Sequence, residues 1–155
     1  MKTSGTAILN PELFNFLLEL EVKKAARYSY FFSLLYIELD RDEEAEILET
    51  VANLIVDEIR DVDIVGKVEK QSFCTLVQAE TRPTFAIGER IRGRILNYSF
   101  ENPSGSRLPP VTISVGGACF PTHGTDVSEL RNQAAAMLNK ARTLGGNRVF
   151  VQGAE

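Results

Sequence analysis

A nearly uninterrupted apolar run from Tyr30 to Ile37 is the feature that most constrains how this chain folds. Successive side chains of a strand point to opposite faces of its sheet. A run without polar alternation, bounded by polar residues, is therefore typical of a central strand that is buried on both faces. Such a strand requires other elements to cover both sides of the sheet.

Four amphipathic segments predict the helices that cover it. The first begins at Asn10-Pro11, because Asn is a strong N-cap and Pro suits the first helical turn. The second ends near Arg60, and the third begins at Thr81. Asp126 and Glu129 have the spacing of a capping box and predict the start of the fourth helix.

The remaining apolar segments predict four further strands. A hairpin spans Ile64 to Val77, and a short strand closes the chain at Arg148–Val151. Val111–Val115 alternates apolar and polar residues, which favours a strand with one buried face. The order α-β-α-β-β-α-β-α-β predicts an α/β (α+β) fold, with a five-stranded mixed sheet flanked by four helices in a single domain over residues 1–155.

Composition excludes several functional classes. The 155 residues carry a net charge of −4, which argues against a general nucleic-acid binder. No apolar run reaches the roughly 18 residues of a membrane-spanning helix, so we expect a cytoplasmic protein without membrane insertion. Cys74 and Cys119 lie in predicted strands and are expected to be buried, reduced thiols. No cofactor is expected.

Several motifs occur in an order and spacing that resemble the GGDEF domains of diguanylate cyclases. The resemblance covers about residues 6–150 and implies the palm-like fold of nucleotidyl cyclases. The segments that carry it are Thr6-Ala7-Ile8-Leu9-Asn10, Glu38-Leu39-Asp40, Thr112-Ile113-Ser114-Val115-Gly116-Gly117-Ala118 and Lys140-Ala141-Arg142-Thr143-Leu144-Gly145-Gly146-Asn147-Arg148-Val149.

The turn of the predicted hairpin departs from this family. Where the family has Gly-Gly-(Asp/Glu)-Glu-Phe, this chain has Glu69-Lys70-Gln71-Ser72-Phe73. Side chains at Glu69 and Lys70 would occupy space that glycines leave for a triphosphate. Gln71 lacks the negative charge that holds a hard cation. The resemblance therefore implies a degenerate domain that is not an enzyme and has no catalytic residues.

Other departures from the family point the same way. Glu38 and Asp40 are the remaining carboxylates that could hold a metal ion. The favoured alternative is that these acids, with Asp42, Glu43 and Glu44, form a solvated helix start that the helix dipole stabilises. The segment that reads the substrate's guanine is missing after Asp40. Of two phosphate-contacting cations in the family, only Arg142 remains, because Gly146 replaces the other.

A second family site is retained. Arg60 and Asp63 stand at the Arg-x-x-Asp that binds cyclic di-GMP in the family, five residues before the turn. Arg90 is the expected third contact from a neighbouring domain, with Arg92 or Arg94 as substitutes. A guanidinium can bond guanine O6 and N7, and a carboxylate can accept from N1–H. The alternative is that Arg60 stabilises a helix end and Asp63 caps a turn.

Three functions remain open at this level. The first is a cyclic di-GMP receptor or signalling module that acts together with another protein domain or in a homodimer. The second is a ligand-independent interaction or dimerisation module. The third is residual cyclase activity, which the four damaged parts of the site argue against.

Overall fold

The computed structural model describes residues 8–154 and has the predicted order of elements. Thr6 and Ala7, the start of the family resemblance, lie outside the described residues. The helices are α1 (Pro11–Tyr28), α2 (Ala45–Glu58), α3 (Thr81–Leu96) and α4 (Val127–Thr143). The strands are β1 (Phe32–Leu39), β2 (Ile64–Glu69), β3 (Ser72–Val77), β4 (Ile113–Phe120) and β5 (Arg148–Val151).

The five strands form one mixed sheet in the order β2-β3-β1-β4-β5. β1 pairs antiparallel with β3 and β4, and β4 pairs parallel with β5. The predicted central position of the apolar run is thereby confirmed. β2 and β3 form the predicted hairpin, with a register shift between Lys67 and Glu69.

Alternate residues of β1 point into two separate cores, one on each face of the sheet. Leu35 and Ile37 belong to the core beneath α2 and α3. Phe32 and Leu34 belong to the core beneath α1 and α4. Because both faces are covered, neither set of side chains meets water, which explains the lack of polar alternation in this strand.

The prediction that β4 has a single buried face is wrong, since all eight of its residues are buried. The polar residue that suggested a solvated face, Ser114, is instead buried and donates a hydrogen bond to Asp40 at 2.6 Å. Gly116 allows α4 to cover β4 closely, because a Cβ there would lie 2.1 Å from the backbone nitrogen of Leu138 in α4. α4 thus packs its backbone directly on β4.

Both predicted helix caps are confirmed. The Asn10 side chain accepts a hydrogen bond from the Leu13 amide at 2.8 Å, and Asp126 accepts one from the Glu129 amide at 2.8 Å. In a standard capping box the Glu129 side chain would accept from the amide of the N-cap residue, Asp126. Here it accepts instead from the amide of the preceding residue, Thr125, at 2.8 Å.

The predicted cysteine environment is also confirmed. Cys74 and Cys119 are free thiols, both buried, in β3 and β4. Burial raises the pKa of Cys74, which keeps this thiol protonated and unreactive. Within residues 8–154, none of the helices combines the length and the apolar character needed to span a membrane.

Candidate functional site

A groove of about 740 Å³ brings together the three residues predicted from sequence. Arg60 and Asp63 lie in the connection between α2 and β2, and Arg90 lies in the middle of α3. All three line this groove, together with residues 29–31 just before β1 and residues 78–80 just after β3. The fold therefore places a charged pair and a distant arginine around one opening.

Arg60 and Asp63 differ sharply in exposure. The side chain of Arg60 is 62% exposed, whereas that of Asp63 is 1% exposed, with 3.6 Å between Arg60 Nε and Asp63 Oδ2. Asp63 Oδ2 accepts a hydrogen bond from the Arg60 amide and Oδ1 accepts one from the Gln78 amide, both at 3.0 Å. Because the Asp63 side chain is 1% exposed, a guanine edge could bond it directly only if the residues that cover it moved.

Gln78, which follows β3, connects this pair to α1. Its carbonyl oxygen accepts a short hydrogen bond from the Arg60 guanidinium, which holds Arg60 over the end of β3. Its side-chain amide donates to Glu21 Oε2 at 2.9 Å, and the Tyr30 hydroxyl donates to the same oxygen at 2.6 Å. Burial and the adjacent Glu21 raise the pKa of Tyr30 to about 12, so its hydroxyl remains a donor at neutral pH.

Arg90 reaches the groove while it is held by Glu58 at the end of α2. Arg90 Nε lies 3.3 Å from Glu58 Oε1, and Arg90 Nη2 donates to the Glu58 carbonyl at 2.9 Å. Arg94 binds the other carboxylate oxygen of Glu58 at 2.6 Å. Arg92 turns away and donates to Glu89 and Asn147. Of the three arginines considered from sequence, Arg90 is the one that lines the groove.

The β2–β3 turn lies at a different edge of the molecule and is tied to the segment after β1. Gln71 uses its whole amide on the backbone of Glu43, accepting from its N–H at 3.1 Å and donating to its carbonyl at 3.3 Å. Lys67 Nζ donates to the Lys70 carbonyl at 2.7 Å, and partial burial lowers the pKa of Lys67. Only residues 40–44 connect β1 to α2.

Glu38 and Asp40 are engaged by protein groups. Glu38 accepts a hydrogen bond from Arg142 at 2.8 Å. Asp40 accepts from Thr112 Oγ1 at 2.6 Å, from Ser114 Oγ at 2.6 Å and from the Asn147 amide at 2.9 Å.

The interpretation of Glu38 and Asp40 as a solvated helix start is therefore wrong, and α2 begins later, at Ala45. Their role as metal ligands stays a prediction. In the part of the chain that the structure describes, no group of three or more His, Cys, Asp or Glu residues is arranged to hold a metal ion.

Among the groove residues that the sequence did not indicate, three bear on its chemistry. Glu58 and Gln78 were missed because their partners lie far away in sequence, in α3 and α1. Phe31 belongs to the apolar run that is predicted to be buried, yet its side chain is 42% exposed and lines the groove. Its position at the very start of the run, before the sheet pairing begins, was the available signal.

Comparisons with known proteins agree with this arrangement of elements. A family model described as "Diguanylate cyclase, GGDEF domain" matches residues 4–148. The "Probable diguanylate cyclase DgcT" of Escherichia coli K12 is 29% identical over 108 residues, which cover 69% of this chain and 24% of that protein. The "Uncharacterized protein YhcK" of Bacillus subtilis 168 is 26% identical over 156 residues, covering 93% of this chain and 43% of that protein.

The chain thus spans less than half the length of these curated relatives. Among solved structures, the GGDEF domain of DgcB from Caulobacter crescentus, in complex with c-di-GMP, superposes with a TM-score of 0.86. That match has 16% identity and covers 99% of this chain and 96% of the other. With a family model that accounts for nearly its whole length, this chain belongs to the GGDEF domain family.

Proposed function

We propose that this chain is a catalytically silent GGDEF domain that binds cyclic di-GMP in the groove formed by Arg60, Asp63 and Arg90. The observation that carries the proposal is the convergence of these residues, from the α2–β2 connection and from α3, on one groove. Its volume of about 740 Å³ lies within the range of roughly 300–1,000 Å³ that is typical of small-molecule sites.

The exposure of the two arginines supports contact with a phosphate or a guanine edge. Their side chains are 62% exposed for Arg60 and 55% exposed for Arg90. A planar guanidinium can bond two acceptors at once, which suits both a phosphodiester and the O6/N7 edge of guanine. Arg90 would exchange part of its contact with Glu58 for the ligand.

We assign Asp63 a positioning role in this site. Its buried carboxylate fixes the backbone of Arg60 and of Gln78, and Gln78 in turn accepts from the Arg60 guanidinium. These hydrogen bonds hold the backbone and the guanidinium of Arg60 in one orientation in the ligand-free protein. Such preorganisation reduces the entropy cost of binding.

The absence of turnover is the second half of the proposal. Joining two GTP molecules requires carboxylate-bound metal ions and close approach of a backbone to a triphosphate. Glu69 and Lys70 stand where the family has glycines, and the amide of Gln71 is already used by Glu43. Glu38 is paired with Arg142, so a metal ion or a phosphate would have to compete with this ion pair.

Calorimetric titration with cyclic di-GMP tests the receptor function. We expect wild-type protein to bind at micromolar concentration or below, and Arg60→Ala to weaken binding by about 2–3 kcal/mol, roughly 30- to 150-fold, because hydrogen bonds to charged groups are lost. Arg107→Ala is the matched control, since Arg107 is exposed, contacts Ser99 and does not line the groove. Its affinity should equal that of the wild type.

Two results would contradict the receptor function. One is a flat titration of folded wild-type protein, checked by its thermal melt. The other is equal affinity in Arg60→Ala and Arg107→Ala, which would mean that binding occurs elsewhere.

A turnover assay tests catalytic silence. Incubation with GTP and Mg²⁺ should give no cyclic di-GMP, because the turn and the guanine-reading segment are both altered. Product is measured by chromatography beside an active diguanylate cyclase as the positive control. Formation of cyclic di-GMP above the no-protein background would refute this part of the proposal.

A ligand-independent dimerisation module is the second candidate function, and the outer face of α1 favours it. Leu13, Phe16 and Leu20 are exposed on one side of this helix. Glu12 and Glu19 lie toward its start and Lys23 and Lys24 toward its end, so a second copy in antiparallel orientation would bring opposite charges together. The calorimetric result above distinguishes the two candidates.

A further inference from the structure

We infer that the ring of Phe31 stacks on a guanine base of the bound dinucleotide, which makes Phe31 a specificity-determining residue of the groove. The inference rests on the proposed function, because it assigns a ligand contact within that same site. It adds a recognition element for the face of the base to the arginines, which recognise its edges and the phosphates.

The Phe31 side chain is not part of the apolar core on either face of the sheet. Phe31 is 42% exposed, whereas the next residue, Phe32, is fully buried and stacks on Phe120 with 5.3 Å between ring centroids. Phe31 lines the groove that holds Arg60 and Arg90, so its exposed part is accessible to a ligand bound there.

The remainder of the groove supplies the chemistry that a nucleobase requires. Pro83, Ala86 and Ile87, all from α3, give it an apolar side next to Phe31. Arg60 and Arg90 line the same groove and carry its positive charge. Three carboxylates, those of Glu58, Asp63 and Glu80, also line it. A purine combines apolar faces with polar edges, so it can pack against the apolar side while its edge meets a guanidinium.

Hydrogen-bonding capacity favours a nucleotide over a purely apolar ligand as the occupant. The two arginines are the cations of the groove lining, and both remain more than half exposed even though they have protein partners. An apolar ligand would cover the remaining N–H donors of these guanidinium groups without offering an acceptor, which costs free energy. A base joined to a phosphodiester satisfies both sides of the groove.

The absence of tryptophan from the chain allows a direct test by fluorescence. We expect Phe31→Trp to bind cyclic di-GMP and to lose much of its emission as ligand is added, because a stacked guanine quenches an indole. Phe16→Trp is the matched control, since Phe16 is also an exposed phenylalanine but lies on the outer face of α1 and does not line the groove. Its emission should not change with ligand.

A second variant measures the contribution of the ring to affinity. Base stacking on an aromatic side chain predicts that Phe31→Ala weakens binding roughly tenfold or more in calorimetry. Unchanged emission of Phe31→Trp, or wild-type affinity of Phe31→Ala, would overturn the inference while wild-type binding still supports the receptor function. A flat wild-type titration would overturn both, so the two failures are distinguishable.

Discussion

Replacement of Gly116 by alanine should destabilise this protein by about 3 kcal/mol or more, because overpacking against a rigid neighbour lies at the upper end of its usual cost. A Cβ at this position would lie 2.1 Å from the Leu138 nitrogen and 2.5 Å from the Ala134 carbonyl oxygen. Both are backbone atoms of α4, so no rotamer change can relieve the contact. The helix would have to move away from β4 as a unit.

Thermal unfolding measures this effect. For a chain of this size, we expect Gly116→Ala to melt about 6–12 °C below the wild type. Gly93→Ala is the control, because a Cβ at Gly93, within α3, would meet no atom within 4 Å. Alanine should stabilise that helix position by up to about 1 kcal/mol. A Gly116→Ala melt within 2 °C of the wild type, an approximate threshold on the same scale, would contradict the close packing of α4 on β4.

Loss of the Asp40 carboxylate should cost about 3–4 kcal/mol, since several hydrogen bonds to a charged acceptor disappear together. The Thr112 and Ser114 hydroxyls and the Asn147 amide all donate to it. Ser114 is fully buried, so its hydroxyl would have no solvent to replace the lost acceptor. Asp40→Ala therefore detaches the residues before β5 from the end of β1.

Urea unfolding of three variants separates this role from a general effect of charge. Asp40→Asn should lose only about half as much stability, because the amide can accept on one side and donate to a rotated hydroxyl on the other. Asp42→Ala removes the same charge at a neighbouring exposed position and should change stability by less than about 0.5 kcal/mol. Equal urea midpoints for Asp40→Ala and Asp42→Ala would show that the network contributes little.

The element order followed from sequence because its signals are local. The Asn10 and Asp126 caps each depend on a partner three residues away, and the apolar run of β1 reports burial of that strand alone. The error at β4 has the opposite origin. Ser114 resembles a solvent-facing residue, and only its partner Asp40, far away in sequence, reveals that it is buried.

The candidate site was only partly predictable for the same reason. Arg60 and Asp63 share one turn, so their proximity was accessible from spacing. The choice of Arg90 over Arg92 and Arg94 depended on how α3 packs beside α2, and the structure places Arg90 alone of these in the groove lining. Nothing in the spacing of Asp63 indicated that its carboxylate would be buried and bonded to two backbone amides.

The sequence by itself determined the order of the elements, the central position of β1 and the residues that stand at the hairpin turn, since each depends on periodicity or on neighbours along the chain. The tertiary structure alone decided which polar side chains meet, which of two adjacent phenylalanines is buried, and which arginine lines the groove. These outcomes depend on contacts between elements distant in sequence, and a linear pattern carries no record of the angle at which two elements pack.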